Sequence, residues 1–538
     1  MTFNRKLPHN RQMTTNRKLG PAHLVLKNLK SKMHATGFGF SVFNYDDIMR
    51  RYEQFAEKWK QAGKPELYFV TMDIEKCYDS VDSRKLCEFL RRTDLLDREY
   101  YAVGCITLKR RNNVISEKEA LAKEPIKNHF RHKFHKLCVE GGQYPPLTEV
   151  VGTENDFNLK RSLLVEFEAR RKLLKKDVLA PLDYIIQNNY ITFNKKQFRQ
   201  TKGIPQGMCV SYILSSFYYA CLEEHALGFL KQEKKAADGS PELNCVMRLT
   251  DDYLLMTSSK ANAMLFIERL VGMALSNKFR FNMKKLRASF HLNVAKIGYT
   301  IEKSKAEAKA AALAARGEKA DPAAVSDAVA NAAQQAQRAL DDLQLHASRS
   351  PDSDMFNWIG ISIDTKTLGL VPNVNVKKEA VLCTLNTNLQ TRKSVVWLKK
   401  KLKSFLMNNI SFYFREAITS KAYAMVTLEK LYQAAAEKYV ACCQDFRRFH
   451  LSGPAKPGAF ALQVDLVLAQ VVYVVIRSFF KYLVCNIRGG VFDRSAYHEF
   501  FTYSLGFFAD KFAAYKGEFS RVNKIFVAKQ KRLKSEPQ

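Results

Sequence analysis

The chain has 538 residues, of which 86 are Lys or Arg and 53 Asp or Glu, giving a net charge of +33. An excess of that size spread over the whole length points to a long polyanion, nucleic acid, rather than to a small ligand. At 46% hydrophobic residues the chain can bury large cores, in roughly three domains, which excludes a disordered basic tail.

Taken in chain order, Leu24, Leu26, Leu29 and Met33, then Ile48, Tyr52, Phe55 and Trp59, recur at helical spacing and predict helices before residue 67. The run Leu67-Tyr68-Phe69-Val70-Thr71-Met72 is β-branched and aromatic and enters Asp73, which reads as a strand ending in an acid. A basic stretch from about 104 to 190 reads as a helical insertion. Within it His129, His132, His135 and Cys138 are spaced by three, but Arg131, Lys133 and Lys136 would repel a cation, so a basic nucleic-acid-facing helix is expected there and not a zinc site.

Gly203, Pro205 and Gly207 then set a fixed loop whose backbone can approach a ligand closely, and an apolar helix starts near Ser211. In Val246 to Met256 the pair Asp251-Asp252 lies between two apolar runs, as at a hairpin tip. Taken alone such a pair is more often an exposed turn. If both strands lie in one sheet, Asp73 and Asp251 can hold two Mg²⁺ ions between them, the device for in-line displacement at phosphorus.

Residues 303–354 are Ala-rich, with almost no large apolar residue between Leu313 and Leu340, and read as an exposed insertion without a core. From Pro372 onward Leu, Phe and Tyr recur at helical spacing. Trp397 to Asn409 sets apolar residues on one helical face and lysines on the other, a form suited to tracking phosphates. The most apolar stretch, Leu466 to Ile476, falls short of the roughly 20 residues that cross a bilayer, and Asp465, Arg477 and Lys481 flank it, so it reads as a buried helix. Eleven scattered cysteines without a Cys-Xaa-Xaa-Cys pair fit a reduced protein, and Met1 to Lys6 lacks the apolar core of a signal peptide.

The order Asp73, Lys202-Gly203-Ile204-Pro205-Gln206-Gly207, Asp251-Asp252 resembles the palm of reverse transcriptases. It is more similar still to telomerase reverse transcriptase, because Leu249-Thr250 precedes the double Asp where retroviral enzymes place an aromatic residue. Phe281-Asn282-Met283-Lys284-Lys285 looks like the lysine motif of that family, Phe356 to Asp364 looks like its primer-grip hairpin, and Met13 to Lys32 is similar to the stretch before the palm in insect-type telomerases. The resemblance covers nearly the whole chain except about 303 to 354.

It implies an α+β right-hand polymerase of fingers, palm and thumb, the palm an antiparallel sheet backed by helices and the thumb mostly helical. The expected division is 1–66 partial fingers, 67–103 first part of the palm, 104–195 helical fingers insertion, 196–302 second part of the palm, 303–354 insertion, 355–372 primer-grip hairpin of the palm, and 373–538 helical thumb. The resemblance assigns Asp73, Asp251 and Asp252, with the backbone carbonyl of Ile74, to two Mg²⁺ ions, and Lys285 to the pyrophosphate as general acid or charge, with adjacent Lys284 as the alternative. Cys77, Tyr78, Gln206, Gly207 and Asn282 would line the nucleotide site, the Tyr78 ring excluding a ribose 2′-hydroxyl. Trp358, Ile359 and Gly360 would grip the primer, and Lys399, Lys400, Lys403 and Asn408 would follow the hybrid.

The implied partners are template RNA, a telomeric DNA 3′ end and deoxynucleoside triphosphates, with no membrane, in the nucleus at chromosome ends. Members of the family usually carry an RNA-binding domain and two early fingers motifs upstream. Neither is visible, with Arg5, Lys6, Arg11, Arg17 and Lys18 as what would remain, so an N-terminally incomplete chain that extends primers poorly is expected. Two alternatives stay open: a reverse transcriptase of a mobile element, and a catalytically silent polymerase fold that only holds nucleic acid.

Overall fold

The computed structural model describes residues 19–110, 130–140, 162–194, 196–232, 239, 241–292, 354–373, 394–407, 421–451, 458–486, 494–515 and 519–535. The chain divides into two compact units, Met1–Phe43 with Val70–Ala347, and Asn44–Phe69 with Ser348–Gln538. The Ala-rich stretch of 303–353, Asn408 and the segment Met13 to Lys18 lie outside the described residues.

The first unit opens with α1 (Gly20–Thr36) and a short β1 (Ser41–Val42); α2 (Tyr45–Gln61) belongs to the second unit. Then come β2 (Tyr68–Asp73), α3 (Ser83–Arg92), β3 (Glu99–Arg110), β4 (Phe130–Glu140), β5 (Ser162–Leu174), α4 (Lys175–Gln187), and the hairpin of β6 (Tyr190–Phe193) and β7 (Lys196–Arg199). The unit continues through α5 (Ser211–Leu227), β8 (Asn244–Leu249), β9 (Asp252–Thr257), α6 (Lys260–Ser276) and β10 (Arg287–Ala288). Its main sheet runs β1-β8-β9-β2-β10. The β8–β9 and β2–β10 pairs are antiparallel, as expected of the palm, whereas the short β1 pairs parallel to β8 with Ser41 opposite Arg248.

Local chemistry starts the helices where they start. The Asp82 carboxylate accepts from the N–H groups of Arg84 and Lys85 at the head of α3, and the Ser259 hydroxyl from Asn262 N–H at the head of α6. Helix α5 is buried almost all round, from Ile213 and Leu214 to Leu222 and Leu227, as a helix without a polar face must be.

The expected helical insertion of 104–195 is corrected. Its described part is mainly a three-stranded antiparallel sheet, β4-β3-β5, followed by α4 and the β6–β7 hairpin. Val165, Phe167 and Ala169 alternate with Glu166, Glu168 and Arg170, and this period of two outweighs the helical reading. The stretch Phe130 to Cys138, read as a basic helix, is likewise strand β4, and His129 lies outside the described residues. Two register shifts flank Gly104 in the β3–β5 pairing, where a residue without a side chain eases a bulge.

In the second unit, Asn44 caps α2 by accepting from Asp47 N–H at 2.7 Å, and the Tyr52 hydroxyl donates to the Leu368 carbonyl at 2.7 Å. A three-stranded sheet of β11 (Met355–Trp358), β12 (Ile361–Asp364) and β13 (Leu370–Pro372) carries the expected hairpin, with Ile359 and Gly360 at its turn. The helices α7 (Ser394–Met407), α8 (Lys421–Leu451), α9 (Gly458–Asn486), α10 (Arg494–Ala513) and α11 (Ser520–Ser535) follow, the helical character expected of 373–538.

Within α9 a stretch of 23 residues, Ala461–Leu483, is long and apolar enough to cross a membrane by length and composition, longer than the sequence reading allowed. Half of that window is buried in the bundle. The buried Asp465 on it accepts from Arg447 at 3.1 Å, the behaviour of a core helix.

Candidate active site

Strand β2 delivers Asp73 to the end of the sheet, and the β8–β9 hairpin delivers Asp251 and Asp252 beside it. The two strand ends are tied by the backbone, since the Ile74 N–H donates to the Asp251 carbonyl at 2.9 Å. Asn282 N–H donates to the Asp73 carbonyl at 2.8 Å, which brings the segment 281–285 alongside. There the Lys285 ammonium meets Asp73 Oδ1 at 2.9 Å. Four groups from three distant segments thus converge at one end of one sheet.

Their electrostatics are those of crowded acids in a partly dry site. Burial, then the charges of Asp251 and Asp73, push the Asp252 carboxyl up to about 7. Asp251 is raised as well, first by burial and also by Asp73. Lys285 is held above its ordinary value, first by its hydrogen bond to Asp73. Among the described residues no three His, Cys, Asp or Glu side chains form a ready-made metal cluster. Lys285 occupies one Asp73 oxygen instead. An oxygen-only donor set in which clustered carboxyls cannot all ionise unaided nevertheless fits a hard divalent cation.

The hairpin loop is built on a strained residue. Leu249 pairs with Asp252, leaving Thr250 and Asp251 as a two-residue loop, and Thr250 has φ of 58°. Such loops demand positive φ, which a β-branched residue adopts only at a cost.

Of the other expected site residues, Tyr78 is half-buried, while Gln206 is half-exposed and Gly207 exposed with φ of 93°. Cys77 departs from expectation. It is 4% exposed and turns its thiol toward the Thr250 carbonyl at 3.8 Å, so it sits beneath the hairpin rather than lining an open pocket. Gly203 also plays a different part. At φ of +83° a Cβ there would fall 2.6 Å from Asp79 Cα and 2.7 Å from the Tyr78 carbonyl, so its missing side chain serves a close approach to the chain's own backbone. Ile204 N–H to Tyr78 O at 2.9 Å and Gly203 N–H to Val81 O at 3.0 Å dock the 200–207 loop on the exit of β2.

Lys284 and Lys285 are exposed, and Asn282 is half-exposed at the start of a short 3₁₀ turn. Trp358 is buried at 4% exposure, a core residue, with Ile359 half-exposed and Gly360 exposed at the tip. On α7, Leu398, Leu402 and Leu406 are buried while Lys399, Lys400 and Lys403 are exposed, the division expected from spacing. Arg248 and Glu223, not among the residues expected from sequence, are completely buried against each other behind the hairpin. A charged residue inside an apolar strand and an acidic pair in an otherwise apolar helix were the signals.

No family model matches the chain. It is 53% identical to a telomerase reverse transcriptase of Oxytricha trifallax over 99% of its length, and 45% identical to that of Euplotes aediculatus over 100%. It covers 44% and 48% of those proteins, so it spans under half the length of these relatives. A telomerase reverse transcriptase of Tetrahymena thermophila is 36% identical over 54% of the chain. The insect-type qualifier gains no support from these three. Among solved structures, telomerase from Candida albicans in complex with a fragment of telomeric RNA is 13% identical, covers all of this chain with 62% of its own, and superposes with a TM-score of 0.48.

Proposed function

The resemblance to telomerase reverse transcriptases spans nearly the whole chain, and we propose that the chain is an RNA-templated DNA polymerase that adds deoxynucleotides to a DNA 3′ end, in telomere repeat synthesis. The single observation that carries the reading is the meeting of Asp73, Asp251, Asp252 and Lys285 at one sheet end. Neither a mobile-element enzyme nor a silent fold is favoured by the relatives found.

Asp73, Asp251 and Asp252 would hold two Mg²⁺ ions, with the Ile74 carbonyl beside them. When bound, these ions activate the primer 3′-hydroxyl and offset charge on the triphosphate. Bound cations would favour the ionised form of Asp252, whose carboxyl burial and the neighbouring acids push up to about 7. Lys285, placed on Asp73 at 2.9 Å and held above its ordinary value by that bond, would supply the positive charge or the proton for the departing pyrophosphate. Tyr78, whose backbone carbonyl accepts from Ile204 N–H of the docked loop, stands as the wall that would discriminate against a 2′-hydroxyl.

Template RNA, a telomeric DNA end and deoxynucleoside triphosphates are the partners that follow, and the nucleus is the compartment. The test is Mg²⁺-dependent extension of a DNA primer on an RNA template by the wild type and by Asp251→Ala. Loss in the variant with hybrid binding retained supports an enzyme; equal extension by both would sink the proposal.

A further inference from the structure

Arg248 lies in β8 two residues before the hairpin loop, fully buried with Glu223 of α5. An apolar pair of the same volume would serve stability as well, so a buried ion pair asks for another explanation. Every arm of the guanidinium is engaged. Nε donates to Glu223 Oε1, Nη2 to Ser41 Oγ at 2.6 Å and to the Ser216 carbonyl at 3.0 Å, and Nη1 to the Thr250 carbonyl at 2.9 Å. Glu223 accepts in turn from the Tyr253 hydroxyl at 2.6 Å and from Phe40 N–H at 2.8 Å. The rings of Tyr219 and Tyr253 lie 5.4 and 5.6 Å from the guanidinium. One cation therefore joins β1, α5 and both strands of the hairpin.

The bond to Thr250 singles this network out. Thr250 is the residue with positive φ in the hairpin loop, and its carbonyl belongs to the peptide that leads into Asp251. Holding that carbonyl fixes the direction in which both acids leave the turn.

We propose that Arg248 is a positioning residue: by gripping the Thr250 carbonyl it maintains the left-handed loop that presents Asp251 and Asp252 to divalent cations. The reaction it serves rests on the polymerase reading, whereas its effect on cation binding is measured separately. Rescue is the decisive test. In Arg248→Lys a single ammonium replaces a planar fork and cannot reach Glu223, Ser41 and Thr250 together. Mn²⁺ binding, followed by the EPR signal of the free ion, is expected to weaken about tenfold, the scale of one strained residue released. Thr250→Gly relieves the strain, because glycine takes positive φ freely, so R248K/T250G should regain at least about threefold of the loss. The Mg²⁺ requirement of primer extension should move in parallel, and return toward the wild-type value in R248K/T250G.

A purely structural role for Arg248 would lower the melting temperature without any rescue by glycine. Binding in the double variant as weak as in R248K overturns the proposal, and so does R248K binding like the wild type. Should R248K not accumulate as folded protein, Ser41→Ala removes one acceptor without stranding a charge, and the same comparison applies at about threefold. Primer extension equal in the wild type and Asp251→Ala would sink the polymerase reading, and the Mn²⁺ data would still decide the role of Arg248.

Discussion

The acid-bearing hairpin of the first unit and the helical bundle of the second are both largely dry, yet opposite means hold them together. Behind the hairpin the interior is polar, with Arg248, Glu223 and Ser41 buried and joined by directed hydrogen bonds. In the bundle, aromatic packing dominates. Tyr432 lies 5.5 Å from Phe507 and 5.3 Å from Phe508, and Tyr439 lies 5.0 Å from Phe508. Directed bonds fix angles, whereas apolar packing fixes volume. A site that must aim carboxylates needs the first, and a scaffold that presents lysines on an outer face needs only the second.

That contrast can be broken from either side. The largest effect is expected from Asp251→Ala, which should reduce primer extension by on the order of 10³-fold or more while leaving the melting temperature near that of the wild type. Leu402→Ala in α7 should do the reverse, costing about 2–5 kcal/mol in thermal unfolding without changing the Mg²⁺ concentration for half-maximal extension. If Leu402→Ala altered Mg²⁺ dependence, the two regions would not be separable. Lys285→Ala should slow single-turnover extension by about 10²-fold, with hybrid binding retained.

The pH response sharpens the comparison further. Asp252 is raised from an unfolded value of 3.8 to about 7, so the metal-free native state binds a proton that the unfolded chain releases. Its contribution to stability is present below pH 3.8 and is lost as pH rises through about 7. Cation binding must displace that proton, so at limiting Mg²⁺ extension should fall by up to about tenfold between pH 7 and pH 6. Asp252→Asn should abolish this pH term, and persistence of the full drop in that variant would assign it elsewhere. The smallest effect is expected on the bundle surface, where Lys399→Gln, Lys400→Gln and Lys403→Gln should each lower the salt dependence of hybrid binding by about one unit of slope at most.

Much of the site was legible because its signals are local. A β-branched run ending at Asp73, an acid pair between two apolar runs, and lysines set against Leu398, Leu402 and Leu406 each follow from periodicity over a few residues. What escaped depends on partners far away in the chain. Nothing near Arg248 announces that Glu223 waits on a helix 25 positions earlier, and nothing near Gly203 announces that Asp79 lies where its side chain would be. The insertion was misread for another reason. Its many lysines and histidines specify charge but not periodicity, while the alternation at Val165 to Arg170 carries the structural signal.

Gly203 has a mechanical consequence. With no clearance between its α-carbon and the peptide at Asp79, even one methyl group would have to prise the whole 200–207 segment off the chain leaving β2. Loop and acid-bearing strand are keyed together like a bolt in its seat, so a saturation library at this codon should return glycine alone among the working clones.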